Sequence, residues 1–304
     1  MRFRVRLLCI ALLPVSFWSS PAGAQELTPR AYWPAPEGTK VVVLGYQYSS
    51  GDVVTDPTLP VIGVDSRLHF ALLSYQQTFD LAGRTATLQF SLPYSWGTTE
   101  GFAEGEFRSR YVSGAGDVRA RLSVNLLGAP TMDMAGFQEL RASPRSLIGV
   151  SFLVQVPSGG SESDKVLNPG TNRWSVKPAV GFILPFRPTW HLEFEVGVWL
   201  IGDNDDFLGT TREQAPILST EFHLVKMLRP GFWLSLDANY YAGGRSTVTG
   251  ILRADLRRNS RVGATVLFPF RRHHAIRGSF STGAVTRSGG NFSTLTASYL
   301  YIWS

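Results

Sequence analysis

The sequence predicts an all-β fold: a transmembrane, antiparallel, up-and-down β-barrel of about 12 strands. Three observations lead to this prediction. Apolar and polar residues alternate over many segments of the 304-residue chain, which is the pattern of strands with one apolar and one polar face. The connections between these segments alternate between short and long. Aromatic residues gather at segment ends, as they do at the two interfaces of a membrane barrel.

The first 24 residues predict a secretory signal peptide. Arg2, Arg4 and Arg6 precede an apolar stretch of about a dozen residues, and small residues at 21–24 form a cleavage site. The apolar stretch is shorter than the roughly 20 residues that a spanning helix needs. We therefore expect residues 1–24 to be removed and residues 25–304 to form a barrel domain, exported to the outer membrane of a Gram-negative cell.

The composition limits the chemistry of the mature chain. The only cysteine, Cys9, lies in the predicted signal peptide, so we expect neither disulfides nor cysteine metal ligands after cleavage. Loss of the three arginines lowers the formal net charge from +6 to about +3, which gives no reason to predict a nucleic-acid partner. The 30 glycines, 18 prolines and 12% aromatic residues favour many short strands and turns over helices.

Twelve segments have the character of strands, and seven of them alternate cleanly. In residues 85–96, for example, Leu88 and Phe90 fall on one face and Gln89 falls on the other. The other six clean segments are 118–126, 148–156, 190–200, 232–241, 262–270 and 295–303. Five segments alternate less cleanly: 40–50, 66–79, 173–186, 217–227 and 273–285. For 66–79 and 217–227 the pattern does not show which residues fall on which face.

The connections between the strands are of two kinds. Short turns with the sequences DLAG, RPT, LRPG and RRH alternate with long polar stretches such as 97–117 and 202–216. Short turns on one side and long loops on the other are typical of an outer-membrane barrel, and closure leaves no exposed sheet edge. Two connections break the rule, because 128–144 is long and 286–291 is short. An exported β-sandwich or soluble barrel is the alternative, and it has less reason to place aromatic residues at strand ends.

Eight motifs resemble those of one protein family. In chain order they are LPYSW (92–96), SGAGD (113–117), VPSGG (156–160), NPGTNRWSVKP (168–178), GDNDDF (202–207), YYAGG (240–244), NSRVGATVLFPF (259–270) and YLYIW (299–303). Together they resemble the outer-membrane transporters of the meta-pathway phenol-degradation family, over nearly the whole mature chain. The resemblance implies a barrel that passes aromatic or other small hydrophobic compounds, and it brings no catalytic or ligand residues. The chain departs from the family pattern at Ala115 and at Ser304.

If the apolar faces meet lipid, the polar faces meet the lumen. A barrel of twelve strands is wider than the eight-stranded barrels whose interior is just filled by side chains. The charges could brace the wall by pairing across it, or they could set up a transverse field that admits polar solutes. Lys177 and Arg277 are weaker candidates. The predicted lumen-lining residues are Arg119, Arg121, His191, Glu193, Glu195, Asp237, Asn239 and Tyr241.

The sequence predicts neither an enzyme nor a cofactor or metal site. Glu193 and Glu195 have the spacing of a glycosidase pair, roughly 6.5–7 Å, but two residues of one strand cannot flank a sugar from opposite sides. The loop 203–209 lacks EF-hand spacing, because Phe207 stands at its fifth position, so we interpret it as an acidic surface loop. An outer-membrane hydrolase would need an adjacent serine and histidine, and none of the five histidines lies in a nucleophile motif.

The function predicted from these observations is transport. The first hypothesis is a channel or transporter for small hydrophobic or aromatic compounds. The alternatives are a structural or surface-binding barrel without transport and, third, an outer-membrane hydrolase. The expected partners are the lipid bilayer, a small-molecule solute and the barrel-assembly machinery. The machinery would recognise the last strand, which carries Tyr299, Tyr301 and Trp303 on one face.

Overall fold

The computed structural model describes residues 27–51, 62–103, 106–165, 167–287 and 291–304. The predicted signal peptide, residues 1–24, lies outside these ranges. In chain order the elements are β1 (Lys40–Gly51), β2 (Ile62–Leu81), β3 (Arg84–Ala103), β4 (Glu106–Ala115), β5 (Val118–Leu127), α1 (Met134–Ala142), β6 (Leu147–Val156), β7 (Ser175–Arg187), β8 (Trp190–Ile201), β9 (Asn204–Phe207), β10 (Thr210–Gln214), β11 (Ile217–Arg229), β12 (Phe232–Gly243), β13 (Ser246–Val248), β14 (Ile251–Leu252), β15 (Arg257–Arg271), β16 (His274–Val285) and β17 (Phe292–Trp303).

Twelve of these strands form one closed antiparallel barrel, and the predicted fold class is confirmed. The order around the wall is β1, β2, β3, β5, β6, β7, β8, β11, β12, β15, β16 and β17. β17 then pairs with β1, so that Lys40 lies opposite Trp303 and Gly51 lies opposite Phe292. The last predicted strand thus closes the barrel on the first, and this pairing removes both sheet edges.

The wall has an apolar outer face and a polar inner face. In β12, Leu236 is 60% exposed while the neighbouring Asp237 is 4% exposed. The same contrast separates Phe194 from Glu195 in β8. Exposed large apolar residues beside buried charges reverse the arrangement of soluble proteins and match a wall that faces lipid. Exposed aromatic residues near the strand ends include Tyr240, Phe268, Phe270 and Tyr301.

The two ends of the barrel differ, and we name them the turn end and the loop end. At the turn end, tight turns join β2 to β3, β7 to β8, β11 to β12 and β15 to β16. The exceptional connection between β5 and β6 also lies at this end and contains α1. The side chain of Asp133 caps α1 by accepting a hydrogen bond from Gly136 N at 2.9 Å. Among the described residues, no helix is long and apolar enough to cross a membrane.

At the loop end, the expectation that 97–117 forms a polar loop is wrong. β3 continues to Ala103, and β4 pairs with it from Glu106 to Ala115. β2 pairs along the other side of β3, so three strands extend beyond the level at which β5 begins. Backbone pairing holds this extension together. Its sequence resembles a loop because a sheet beyond the membrane needs no uniformly apolar face.

A second, small sheet also lies at the loop end. Its order is β14-β13-β10-β9, and it is built from the connections that follow β8 and β12. The stretch 203–209, interpreted above as an acidic loop, contains β9 and its turn toward β10. Within the described ranges, no group of three or more His, Cys, Asp or Glu side chains could hold a metal ion.

The long connection between β6 and β7 is anchored by one buried carboxylate. Asp117, which immediately precedes β5, accepts hydrogen bonds from Gly159 N at 3.0 Å and from Thr171 N at 2.9 Å. It also accepts bonds from the Thr171 hydroxyl at 2.6 Å and from Gln155 Nε2 at 3.0 Å. Asp117, the last residue of the SGAGD motif, therefore holds the connection at Gly159 and at Thr171.

Candidate functional site

The lumen contains the chain segment that precedes β1, which we call the N-terminal segment (residues 27–39). Thr28 lies against β11, where its backbone N–H and its hydroxyl donate to Glu221 Oε2 at 2.9 and 2.8 Å. Nine residues later the segment has reached the turn end, where Glu37 N donates to Met132 O at 2.9 Å. The segment therefore runs along the inside of the barrel before the chain enters the wall.

Arg30 makes the strongest set of contacts between the N-terminal segment and the wall. Its Nη1 lies 2.9 Å from Glu193 Oε1 and donates to His191 Nδ1 at 2.7 Å, and its backbone N–H donates to Glu193 Oε2 at 2.7 Å. Its guanidinium carbon is 3.8 Å from the ring centroid of Trp33. Trp33 in turn stacks on His191, with ring centroids 5.1 Å apart. We call the cluster of Arg30, Trp33, His191 and Glu193 the latch, because its ion pair and stacked rings hold the N-terminal segment against β8.

Tyr32 occupies a recess made by glycines of the wall. Its hydroxyl lies 2.9 Å from Ser151 Oγ in β6. A Cβ atom at Gly181 would lie 2.0 Å from the Tyr32 ring, and one at Gly149 would lie 2.5 Å from it. Any side chain at either position would displace the ring. Glycine at both positions therefore leaves room for Tyr32 against the inner face of β6 and β7.

A small apolar core lies at the turn end of the lumen. The N-terminal segment packs there against the connection that contains α1 and against the ends of β6 and β7. Two segments outside the wall strands provide most of this core, and the wall adds Leu147 of β6 and Ile183 of β7. Its members are Ala31, Tyr32, Trp33, Ala129, Met132, Phe137, Leu140, Leu147 and Ile183.

Above the latch, a network of charges crosses the lumen. Glu195 and Glu221 are direct neighbours in the pairing of β8 with β11, and like charges in this position repel each other. Lys177 of β7 lies between them, with its Nζ 2.6 Å from Glu195 Oε1 and 3.4 Å from Glu221 Oε1. Arg121 of β5 adds a second cation, 2.6 Å from Glu195 Oε2. β5 and β8 are not neighbours in the wall, so this ion pair spans the interior.

The network continues along the wall to the neighbouring strands through a histidine, because His223 of β11 lies directly opposite Asp237 of β12. His223 Nε2 lies 3.5 Å from Glu221 Oε2, and its Nδ1 lies 2.8 Å from Asp237 Oδ1. The hydroxyl of Thr265 donates to the other oxygen of Asp237 at 2.7 Å. Charged side chains from β5, β7, β8, β11 and β12 are thereby joined in one layer across the lumen.

Five of the eight residues predicted for the lumen belong to the latch or the network, and the other three do not. Arg119 donates to Gln155 at 3.0 Å, and Asn239 accepts from Arg261 N at 3.1 Å. Tyr241 packs in an apolar cluster with Trp199 and Ile217. The five that are brought together are Arg121, His191, Glu193, Glu195 and Asp237.

The sequence patterns did not identify the side chains that contact these five residues. The N-terminal segment contributes Thr28, Arg30, Tyr32 and Trp33, and no periodicity marks it because it is not a strand. Glu221 and His223 escaped assignment because apolar Ile217 and Val225 share their inner face and blur the alternation of β11. Lys177, which the sequence offered only as a weaker candidate, lies at the centre of the charge network between Glu195 and Glu221. The signal that could have found Glu221 and His223 is a run of charged residues two apart, opposite Leu218, Phe222 and Leu224.

No serine–histidine pair forms among the described residues. The ring nitrogens of His69 and His274 contact tyrosine hydroxyls, at 2.7 and 2.6 Å. His273 Nδ1 lies 2.8 Å from the carbonyl oxygen of Ile302. His191 and His223 belong to the latch and the network described above. A hydrolytic triad requires a serine hydroxyl at such a position.

The closed wall, the apolar outer face and the charged lumen define the class of protein: an outer-membrane β-barrel with the fold of a channel. The particular family follows from the sequence. A family model described as "Putative MetA-pathway of phenol degradation" matches residues 44–296. The chain belongs to this family.

Solved structures with the same fold include outer-membrane proteins. The COG4313 outer membrane channel from Pseudomonas putida F1 has a TM-score of 0.74 at 20% identity, covering 91% of this chain and 100% of that one. The transport unit of the autotransporter AIDA-I from Escherichia coli has a TM-score of 0.51 at 9% identity, covering 89% of this chain and 92% of that one. No curated protein matches the chain in sequence. At these identities the likeness concerns the fold.

Proposed function

We propose that the protein is an outer-membrane channel for small hydrophobic or aromatic compounds, with a lumen restricted by its own N-terminal segment. One observation carries the proposal: the lumen is occupied by a separate segment and not by the wall's own side chains alone. The latch of Arg30 and the contact of Thr28 hold that segment, and it can leave without unpairing a wall strand. The phenol-degradation description of the family supports aromatic solutes.

In this proposal the loop end faces the cell exterior and the turn end faces the periplasm, as short turns do in barrels of this kind. The signal peptide, residues 1–24, delivers the chain to the periplasm. The last strand exposes Tyr299 and Tyr301 on its outer face and offers them to the barrel-assembly machinery. The lumen-lining residues named above then form the polar wall that a solute meets.

The rival functions have less support. A purely structural barrel has no need for a separate segment inside its lumen. A hydrolase needs a serine beside one of the histidines, and within the described part of the chain the histidines contact other groups. We therefore propose that the barrel is not an enzyme.

Conductance and liposome-flux measurements on the purified protein test the channel. We expect small conductance from the wild type and a larger one from Arg30→Ala, because the change removes the guanidinium contacts with Glu193 and His191 and leaves only the backbone bond to Glu193. Gly181→Ala should have the same effect by a different route, since its methyl group would collide with Tyr32. The matched controls are Arg84→Ala, at the exposed start of β3, and Gly278→Ala, where the nearest atom is 3.7 Å away.

The outcomes separate the hypotheses. Absence of flux for every aromatic and ionic solute, in wild type and in both variants, would refute the channel. Flux in all proteins, with no difference between Arg30→Ala and Arg84→Ala, would support the channel function. It would refute the restricting role of the N-terminal segment. Labelling of a serine by a fluorophosphonate would instead support the hydrolase.

A further inference from the structure

One arc of the turn end carries cations without any acidic residue. Three turns join β7 to β8, β11 to β12 and β15 to β16, and these six strands are consecutive in the wall. The sequence at 185–191, 226–232 and 268–275 contains neither Asp nor Glu. We call this surface the basic arc. Its cations are Arg187, Lys226, Arg229, Arg271 and Arg272.

Two cations of the basic arc lie against aromatic rings at the edge of the outer face. Lys226 Nζ is 4.8 Å from the ring centroid of Trp190. The guanidinium carbon of Arg229 is 5.4 Å from the Phe232 ring and 5.5 Å from the Phe268 ring. Phe268 is among the exposed apolar residues of the outer wall. The cationic groups therefore lie beside the surface that meets lipid chains, where long basic side chains extend toward the headgroups.

Contacts between neighbouring elements hold the turns of the basic arc in place. Met227 N donates to Thr189 O at 2.8 Å, and Lys226 Nζ donates to the Thr189 hydroxyl at 2.7 Å. Arg229 joins the second turn to β15 through Phe268. Ile302 N donates to His273 O at 2.8 Å, which fixes the third turn to β17. The three turns and the side chains of Lys226 and Arg229 are thus positioned before any ligand arrives, which lowers the entropic cost of binding.

The cations of the basic arc have no ion-pair partner in the part of the chain that the structure describes. Among the described residues, no ion pair involves Arg187, Arg229, Arg271 or Arg272. The remainder of the turn end has mixed charge. It combines Arg84, Arg141 and Arg145 with Asp80, Asp133 and Glu139.

We propose that the basic arc binds the phosphate headgroups of anionic phospholipids in the leaflet at the turn end. Guanidinium groups match phosphate oxygens with paired hydrogen bonds. Cations beside a membrane surface gain about fivefold in affinity each for anionic lipid. Lipid fits better than an acidic protein, because Lys226 and Arg229 lie along lipid-facing rings. The arc would fix the depth and tilt of the barrel on one side.

Lipid retention in mixed nanodiscs tests the proposal independently of solute flux. Wild-type barrel would be placed in phosphatidylglycerol and phosphatidylethanolamine, and the bound lipids identified by native mass spectrometry. We expect enrichment of phosphatidylglycerol on the wild type. The variant Arg229→Gln/Arg271→Gln/Arg272→Gln should lower the preference by about 100-fold. The matched control, Arg84→Gln/Arg141→Gln/Arg145→Gln, removes three cations from the same end and should retain it.

Two results would overturn the proposal. One is equal enrichment in the arc variant and the wild type, and the other is an equal loss in the arc variant and the control. Resistance of the folded barrel to heating in detergent shows whether each triple variant has assembled. If the arc variant does not assemble, the single changes Arg229→Gln and Arg271→Gln take its place, each with an expected loss of about fivefold.

Discussion

At the scale of single residues, Lys177 decides whether the charge network is stable. The pairing of β8 with β11 places Glu195 directly opposite Glu221, and both carboxylates are buried. Burying two like charges side by side is unfavourable unless a cation and hydrogen bonds compensate them. Lys177 reaches both carboxylates, while Arg121 reaches only Glu195 and Thr28 reaches only Glu221.

Replacement of this lysine should therefore be costly. We expect Lys177→Met to lower the free energy of unfolding by about 3 kcal/mol, because it leaves a buried carboxylate pair without its shared cation. Adding Glu195→Gln should recover part of the loss. Urea unfolding in detergent micelles measures both effects. Lys165→Met, at an exposed loop position, is the control, and an equal effect at Lys165 and Lys177 would contradict the assignment.

At the scale of elements, the connection between β6 and β7 depends on a residue from a different part of the chain. Asp117 accepts four hydrogen bonds from residues 155–171. Gly159 and Gly170 lie so close together that a Cβ at either would come within 2.7 Å of the other's backbone. The connection is therefore a packed rim structure whose position is set by one carboxylate and by two residues without side chains.

Removal of that carboxylate should release the connection without opening the wall. We predict that Asp117→Ala makes the peptide bond after Lys165 at least tenfold more sensitive to trypsin, because the backbone N–H groups of Gly159 and Thr171 lose their acceptor. The heat resistance of the barrel should change little. Asp203→Ala, in a neighbouring connection, serves as control. Unchanged cleavage in Asp117→Ala would show that the glycine contact alone holds the connection.

At the scale of the whole molecule, the bilayer and the closed wall determine which side chains face outward. Leu122 lies on the outer face of β5 between Arg121 and Ser123, whose side chains point inward. We expect Leu122→Arg to destabilise the assembled barrel by about 2–4 kcal/mol, the cost of an arginine near the middle of the bilayer. Heat-modifiability on gels in lipid vesicles reports assembly.

The control for this change is Ile251→Arg. Ile251 is similarly apolar and exposed, but it belongs to the small sheet at the loop end and not to the wall. The Ile251→Arg variant should therefore assemble as the wild type does. Normal assembly of Leu122→Arg would mean that the outer face of β5 does not meet lipid.

Local sequence pattern specifies the wall of the barrel. Alternation with a period of two reports which face of a strand meets an apolar solvent, so the number of strands, the closure of 295–303 on 40–50 and the inward direction of Glu193, Glu195 and Asp237 could be derived from local pattern. The pattern failed in β4, because a strand beyond the membrane needs no apolar face. It also failed in β11, because Ile217 and Val225 are apolar residues on the inner face.

What occupies the lumen depends instead on contacts that exist only in the assembled barrel. Residues 27–39 have no periodicity, and their position depends on distant partners, such as Ser151 for Tyr32 and Glu221 for Thr28, which are 119 and 193 residues away. The room for Tyr32 comes from glycines on two different strands, which become one recess only when β6 and β7 pair. Local sequence encodes which solvent a side chain faces, whereas the partner across the lumen is set by the register and closure of the whole barrel.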